Sequence, residues 1–165
     1  MNDARVVLRP YREEDRDAVA DLLADPQTMR YVGDGRPQFF NDKPHLVDRI
    51  FEKYRTDPAF HVWAVEENGA YAGHAELKRR EGRSEYELIY IIERARWGRG
   101  LGGIVADLIL ERARAIGAPF VIATVYEANA PSIAILRRRG FVPDERLSKE
   151  LDTYALKVTL TPPSG

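Results

Sequence analysis

Four glycines fall within six residues in the stretch Arg96-Trp97-Gly98-Arg99-Gly100-Leu101-Gly102-Gly103. The stretch follows a run of strand formers, Tyr86 to Ile92. It opens a helical pattern whose apolar face is Leu101, Ile104, Val105, Leu108 and Ile109. Gly117 and Pro119 end that helix, and a second strand pattern, Phe120 to Tyr126, follows directly. Strand, helix and strand in this order demand a β-α-β crossover. The glycines also free the backbone where the helix begins, and there the unpaired N–H groups and the positive dipole end converge. Such a cradle suits an anion, most often a phosphate.

The rest of the chain is patterned for hairpins. Arg5 to Arg9 reads as an opening strand stopped by Pro10, and Glu13 to Ala24 as a helix ended by Asp25-Pro26. Gly33 to Asp42 is a loop by composition, and Lys43 to Thr56 a second helix. Phe60 to Glu67 and Ala70 to Lys78 are strands joined at Asn68-Gly69, a strong hairpin signal. Past the crossover, a short helix runs from Ala130 to about Arg139. Two strands are expected around Phe141 to Leu147 and Leu151 to Leu160, with Thr161 to Gly165 frayed. The expected fold is a single α/β domain over 1–165, with a mixed, mostly antiparallel sheet and one β-α-β crossover that carries the loop. An exposed final strand makes a homodimer plausible.

Composition narrows the function. A net charge of −1 supplies no global field to hold nucleic acid, and no apolar run is long enough to span a membrane. The absence of cysteine removes thiolate nucleophiles and Cys-based metal sites, and fits the cytoplasm. His45, His61 and His74 show no ligand spacing, so no metal is expected. Gly98 to Gly103 satisfies G-x-G-x-x-G, with Glu127 where a ribose-binding acid would be sought. The context is wrong for a dinucleotide, because Glu93 to Trp97 separate strand from loop and only one βαβ unit is present. A Walker A loop is excluded for want of Gly-Lys-[Ser/Thr].

Trp97-Gly98-Arg99-Gly100-Leu101-Gly102 resembles the acyl-CoA pyrophosphate loop of the GNAT superfamily of N-acetyltransferases, [Gln/Arg]-x-x-Gly-x-[Gly/Ala], with the first-slot Trp typical of the RimJ/RimL branch. Glu87-Leu88-Ile89-Tyr90-Ile91-Ile92 is similar to that branch's E-I-G-Y-W-L strand, with Ile89 in place of Gly. Asn129-Ala130-Pro131-Ser132 with Gly140-Phe141 resembles its N-x-x-S…G-F segment, and Asp25 to Tyr31 its D-P-x-x-M-R-Y helix. The motifs run in order from about Arg5 to Leu160.

The resemblance implies acetyl-CoA as co-substrate, its pyrophosphate held by backbone amides of Gly98, Arg99, Gly100, Leu101, Gly102 and Gly103, with Arg99 adding charge. It implies that the strand before the loop splays, so that backbone groups of Tyr90, Ile91 and Ile92 pair with the pantetheine arm like an added strand. Asn129 is either a helix N-cap or a pantetheine-binding amide, and the two are compatible. Many relatives protonate the leaving thiolate with a tyrosine on the last helix; that slot here is Leu136, which points instead to Ser132, otherwise an ordinary first-turn serine. Glu87 is the candidate base, against the alternative of an exposed strand glutamate, with His74 and Glu76 as runners-up. Thr124 stands where some Nα-acetyltransferases carry a base. Tyr31, Phe39, Phe40 and Trp63 are candidates for lining the acceptor pocket, or core.

With no cysteine and no nucleophile elbow, direct attack of an amine on the thioester is expected. At pH 7.5 an α-amine is roughly a third neutral and a lysine about a thousandth, which favours a protein or peptide N-terminus. A small-molecule amine (amino acid, polyamine or antibiotic) is the alternative acceptor. A non-catalytic acyl-CoA sensor is the alternative to an enzyme.

Overall fold

Asn68 and Gly69 take φ of 51° and 85°, the pair of positive values that a tight two-residue hairpin turn requires. They join β2 (His61–Glu67) to β3 (Ala70–Arg79) in a computed structural model that describes residues 5–37, 43–80 and 82–160. β1 (Val6–Arg9) pairs antiparallel with β2, and β3 with β4 (Tyr86–Ile92), so the first half of the sheet is a meander. The glycine-rich loop and α4 (Leu101–Ala115) then carry the chain over to β5 (Phe120–Val125), parallel to β4. The seven-stranded order is β1-β2-β3-β4-β5-β7-β6, with β6 at Val142–Pro143 and β7 at Tyr154–Thr159.

Helices cover both faces. α4 lays Val105, Ile109 and Ala113, all fully buried, over Ala75, Leu77, Leu88 and Val121. α5 (Ala130–Arg138) adds Leu136 to this core, and Phe141 closes it. On the opposite face α1 (Arg16–Ala24) and α3 (Lys43–Thr56) bring Val19, Val47 and Ile50 against Tyr11, Val62 and Ala64. Asp25 ends α1 and caps the short α2 (Pro26–Met29) by accepting from the Thr28 N–H at 3.2 Å. Gly73 has no room for a side chain, since a Cβ there would lie 2.2 Å from the Ile91 carbonyl oxygen. β3 and β4 therefore approach closely just before the loop.

The C-terminal end departs from the expected pair of strands. β6 is two residues long, and α6 (Glu145–Leu151) occupies the interval. Leu147 and Leu151, four apart, fit a helix stripe as well as strands, and Asp144 decides between them by accepting from the Leu147 N–H at 2.9 Å. Leu147 then packs on Ile122 and Ala155. The final strand is partly covered: β7 lies between β5 and the two-residue β6, which pairs only with its Leu156 and Lys157. The expected fraying of Thr161 to Gly165 lies outside the described residues.

Candidate active site

The four loop glycines divide into two jobs. Gly98 and Gly100 take φ of 78° and 77°, and open space lies where a Cβ would sit on either. Gly102 and Gly103 allow packing, because a Cβ would meet Ile135 at 3.2 Å and the Arg139 guanidinium at 2.6 Å respectively. Gly100 is the N-cap of α4 and supplies no side chain, so the first N–H groups of a 15-residue helix have no side-chain cap. Trp97 anchors the turn by donating its indole N–H to the Ile92 carbonyl at 2.9 Å. This cradle fits a pyrophosphate, through backbone donors and a dipole rather than side-chain charge.

Arg99, the residue expected to add charge, is half-exposed and held by buried Glu67 at 3.0 Å; Arg96 shares the same carboxylate oxygen at 2.8 Å. Arg94 pairs with Asp25 at 3.3 Å. Arg139 lies against Gly103 and is tied to Asp107 at 2.8 Å.

β4 and β5 are paired only at Tyr86–Val121 and Glu87–Ile122. Beyond that point β4 stays on β3 as far as Ile92–Gly73, and β5 stays on β7 as far as Val125–Tyr154. The two parallel strands thus diverge into a V that opens toward the loop, and the inner edge of Tyr90, Ile91 and Ile92 carries no ladder to β5. An extended ligand arm fits such an edge as an added strand.

A family model for the acetyltransferase (GNAT) domain matches residues 5–142. The chain belongs to the GNAT acetyltransferases. Its fold is shared with an acetyltransferase from Agrobacterium tumefaciens (18% identity, TM-score 0.75, 97% of this chain and 93% of the other). It is also shared with spermidine N-acetyltransferase from Vibrio cholerae, solved with CoA and spermine (15%, TM-score 0.76, 93% and 95%). A third match is Mycobacterium smegmatis RimJ with CoA-disulfide (19%, TM-score 0.73, 93% and 81%). The acetyltransferase uses acetyl-CoA as its co-substrate. No helix among the described residues is long and apolar enough to cross a membrane. No three His, Asp or Glu side chains among them converge as metal ligands.

In this acetyltransferase the named side chains fall on opposite faces of the V. Glu87 stands at its vertex and is 5% exposed, which rules out the exposed strand glutamate. Its Oε2 accepts from Arg80 Nε at 2.7 Å, and its Oε1 from Arg80 Nη2 at 3.3 Å and from the Thr124 hydroxyl at 2.5 Å. On the α4 face, three residues on, the Tyr90 and Ser132 hydroxyls meet at 3.1 Å. The sequence motif gives Tyr90 a backbone role only; its phenol is a further candidate. Burial raises the Tyr90 phenol above its ordinary value, although Ser132 and Arg139 pull it down. Asn129 caps α5, its Oδ1 accepting from the Ser132 N–H at 3.4 Å. Leu136 is 1% exposed and packs in the core.

Trp63 is a correction. Cross-strand pairing of Trp63 with Ala75 and of Ala75 with Tyr90 puts its ring on the α4 face, buried beneath the Arg112 guanidinium and away from the Glu87 face. Tyr31 packs on Tyr126, just past the end of β5, at a centroid distance of 5.8 Å. Phe39 and Phe40 lie outside the described residues.

Beside Glu87, on the same face, runs a buried polar chain that no motif announces. Tyr71 and Tyr11 hydroxyls meet at 3.1 Å, the Tyr11 hydroxyl meets His74 Nδ1 at 2.6 Å, and His74 Nε2 meets Glu76 Oε1 at 2.7 Å. Burial pushes the Tyr11 and Tyr71 phenols well up, so both stay protonated. Burial also pushes Glu76 up, but the His74 hydrogen bond, with electrostatic attraction to His74 and Lys78, outweighs it and leaves the carboxyl below its ordinary value. Glu76 is the cross-strand partner of Ile89 and lines a cleft of about 820 Å³. A second cleft of about 540 Å³, lined by Glu87 and by Leu151 of α6, shares Lys78, Arg79, Arg80 and Arg83 with the first.

Proposed function

We propose that the enzyme transfers acetyl directly from acetyl-CoA to a primary α-amine, within a ternary complex and in the cytoplasm. The observation that carries this reading is the V between β4 and β5, with a carboxylate at its vertex on one face and two hydroxyls on the other. The amine nitrogen bonds to the thioester carbonyl carbon while amides at the splay polarise the oxygen. Glu87, or a water it orders, takes the amine proton. The C–S bond breaks, and Ser132, backed by Tyr90, protonates the thiolate on the α4 side. Backbone groups of the Gly98–Gly103 loop, of Tyr90 to Ile92, and the Asn129 amide hold the CoA. Glu76 is the second candidate base, because among the described residues Glu87 already accepts three donors and Glu76 accepts one, from His74.

A protein or peptide N-terminus is the favoured acceptor, in keeping with the RimJ/RimL-like motifs. The basic residues around the clefts speak against a polyamine, although the spermidine enzyme shares the fold. Thiol release from acetyl-CoA, measured over free N-terminal peptides, N-blocked lysine peptides and small amines, tests the reading. Release with free N-terminal peptides alone supports it, and release with small amines alone moves the acceptor to metabolites or antibiotics. Acetyl-CoA binding without release from any amine favours an acyl-CoA sensor.

A further inference from the structure

We propose that the cleft on the Glu87 face selects amines that carry a carboxylate within a few bonds of the nitrogen to be acetylated. The inference rests on the transferase reading above and names the chemistry of its acceptor.

The two joined clefts are lined by five cations, Lys53, Lys78, Arg79, Arg80 and Arg83, against the three acids Asp57, Glu76 and Glu87. In a chain of net charge −1 this is a local excess of positive charge. Each acid is already engaged. Asp57 Oδ1 accepts from the Ala59 N–H at 3.0 Å, Glu76 from His74, and Glu87 from Arg80 and Thr124. Arg83 is answered from outside the cleft lining by Glu85 and Glu150, each at 2.9 Å.

Lys78 is the informative residue. It is the direct cross-strand partner of Glu87, so both side chains leave the sheet on the same face. Yet Arg80 and Thr124 occupy the Glu87 oxygens, and Lys78 makes no ion pair among the described residues. Lys53 makes none either, and Arg79 donates only to the Arg83 carbonyl, at 3.4 Å. Three cations therefore line a cleft beside the candidate bases with no carboxylate in ion-pair contact among the described residues, Lys78 acting on Glu76 only through its field. (Glu81, in the same hairpin, lies outside the described residues.)

This arrangement has two consequences for an acceptor. A carboxylate on the substrate gains charge-assisted hydrogen bonds from Lys78 and its arginine neighbours, and these position the amine against Glu76 and Glu87. The same cations disfavour an ammonium ion in the cleft, so the bound amine loses its proton more readily and a weak base suffices. A diamine would place its second cation against the protein's own.

The test uses matched acceptors whose α-amines differ little and whose backbone carboxylates are amidated: glutamate α-amide against glutamine α-amide, and the C-terminally amidated tripeptides Glu-Ala-Ala against Gln-Ala-Ala, with spermidine alongside. The single-residue amides and the peptides separate the two sources of the same chemistry. Thiol release should favour the carboxylate member of at least one pair by tenfold or more in kcat/KM. Lys78→Gln with Arg79→Gln should shrink that ratio below about threefold, and salt should erode it as it screens the cleft. Calorimetric titration of each pair onto the CoA-loaded enzyme reads the preference independently of turnover. A Glu-over-Gln binding preference without thiol release would support the cleft and overturn the transferase reading. Equal binding and equal rates within both pairs, or spermidine as the best acceptor, would overturn the cleft.

Discussion

Around the loop the functional groups are peptide N–H groups and the side chains withdraw: glycine caps α4, and Arg99 turns away to Glu67. On the Glu87 face the reverse holds, and each candidate group is a side chain held by other side chains, from Arg80 and Thr124 to Tyr11 and His74. The difference follows from what each region must recognise. A pyrophosphate is the same in every turnover and is bound by a backbone conformation that glycine spacing can encode. An acceptor is met by whatever residues β2, β3, α3 and α6 present, and those can change without disturbing the sheet.

Substitutions on the two sides should therefore fail differently. The largest effect is expected for Glu87→Gln, a loss of about 10²–10⁴ in kcat with acetyl-CoA affinity retained. Glu76→Gln is the companion measurement, and if it falls further than Glu87→Gln the base lies on β3 and not at the vertex. Next comes Gly100→Val, which forces a β-branched residue to φ near 77°. It should raise the KM for acetyl-CoA by about a hundredfold, roughly 2.7 kcal/mol, while leaving the acceptor KM in place. An equal rise in both constants would break the division between backbone and side-chain recognition. Smaller losses, about tenfold in kcat, are expected for Ser132→Ala and Tyr90→Phe. These should shrink when the acetyl donor is a thioester of a more acidic thiol, because that leaving group needs less help. A loss independent of the leaving group would return both hydroxyls to a packing role.

The same contrast governs what was legible in the sequence. Hairpin, crossover and loop were readable because each is a local code: Asn68-Gly69 for a tight turn, strand then glycines then amphipathic helix for the crossover. α6 was misread because Leu147 and Leu151 satisfy two periods, and the arbiter is a cap at Asp144 whose value depends on what lies beneath. Trp63 was misplaced because which face a strand residue takes is set by register with Ala75 and Tyr90, residues distant in sequence. The Tyr11–His74–Glu76 chain had a partial signal in the i, i+2 spacing of His74 and Glu76, but Tyr11 arrives from 63 residues away. The Tyr90–Ser132 contact spans 42 residues across the V. Long-range side-chain pairs of this kind have no local pattern to read.

The smallest expected effect separates the two regions by charge. The Glu76 carboxyl lies below its ordinary 4.5, burial opposing the shift and the His74 hydrogen bond outweighing it. Between the lowered value and 4.5 the unfolded chain binds more protons at this site than the native one, so its contribution to stability rises with pH across that window. The contribution is complete above the unfolded value and disappears as pH falls through the native one. In thermal unfolding, the gap in Tm between wild type and Glu76→Gln should be widest near neutrality and close in acid. Asp15, Asp25 and Glu85 are lowered too, and they cancel in that difference because both proteins carry them. Gly100→Val strains a backbone that carries no titrating group, so its Tm gap should stay flat over the same range. A Glu76→Gln gap that is equally flat would mean that the carboxylate and His74 gain nothing from each other in the folded state. The acceptor face would then be poised by its surplus cations alone.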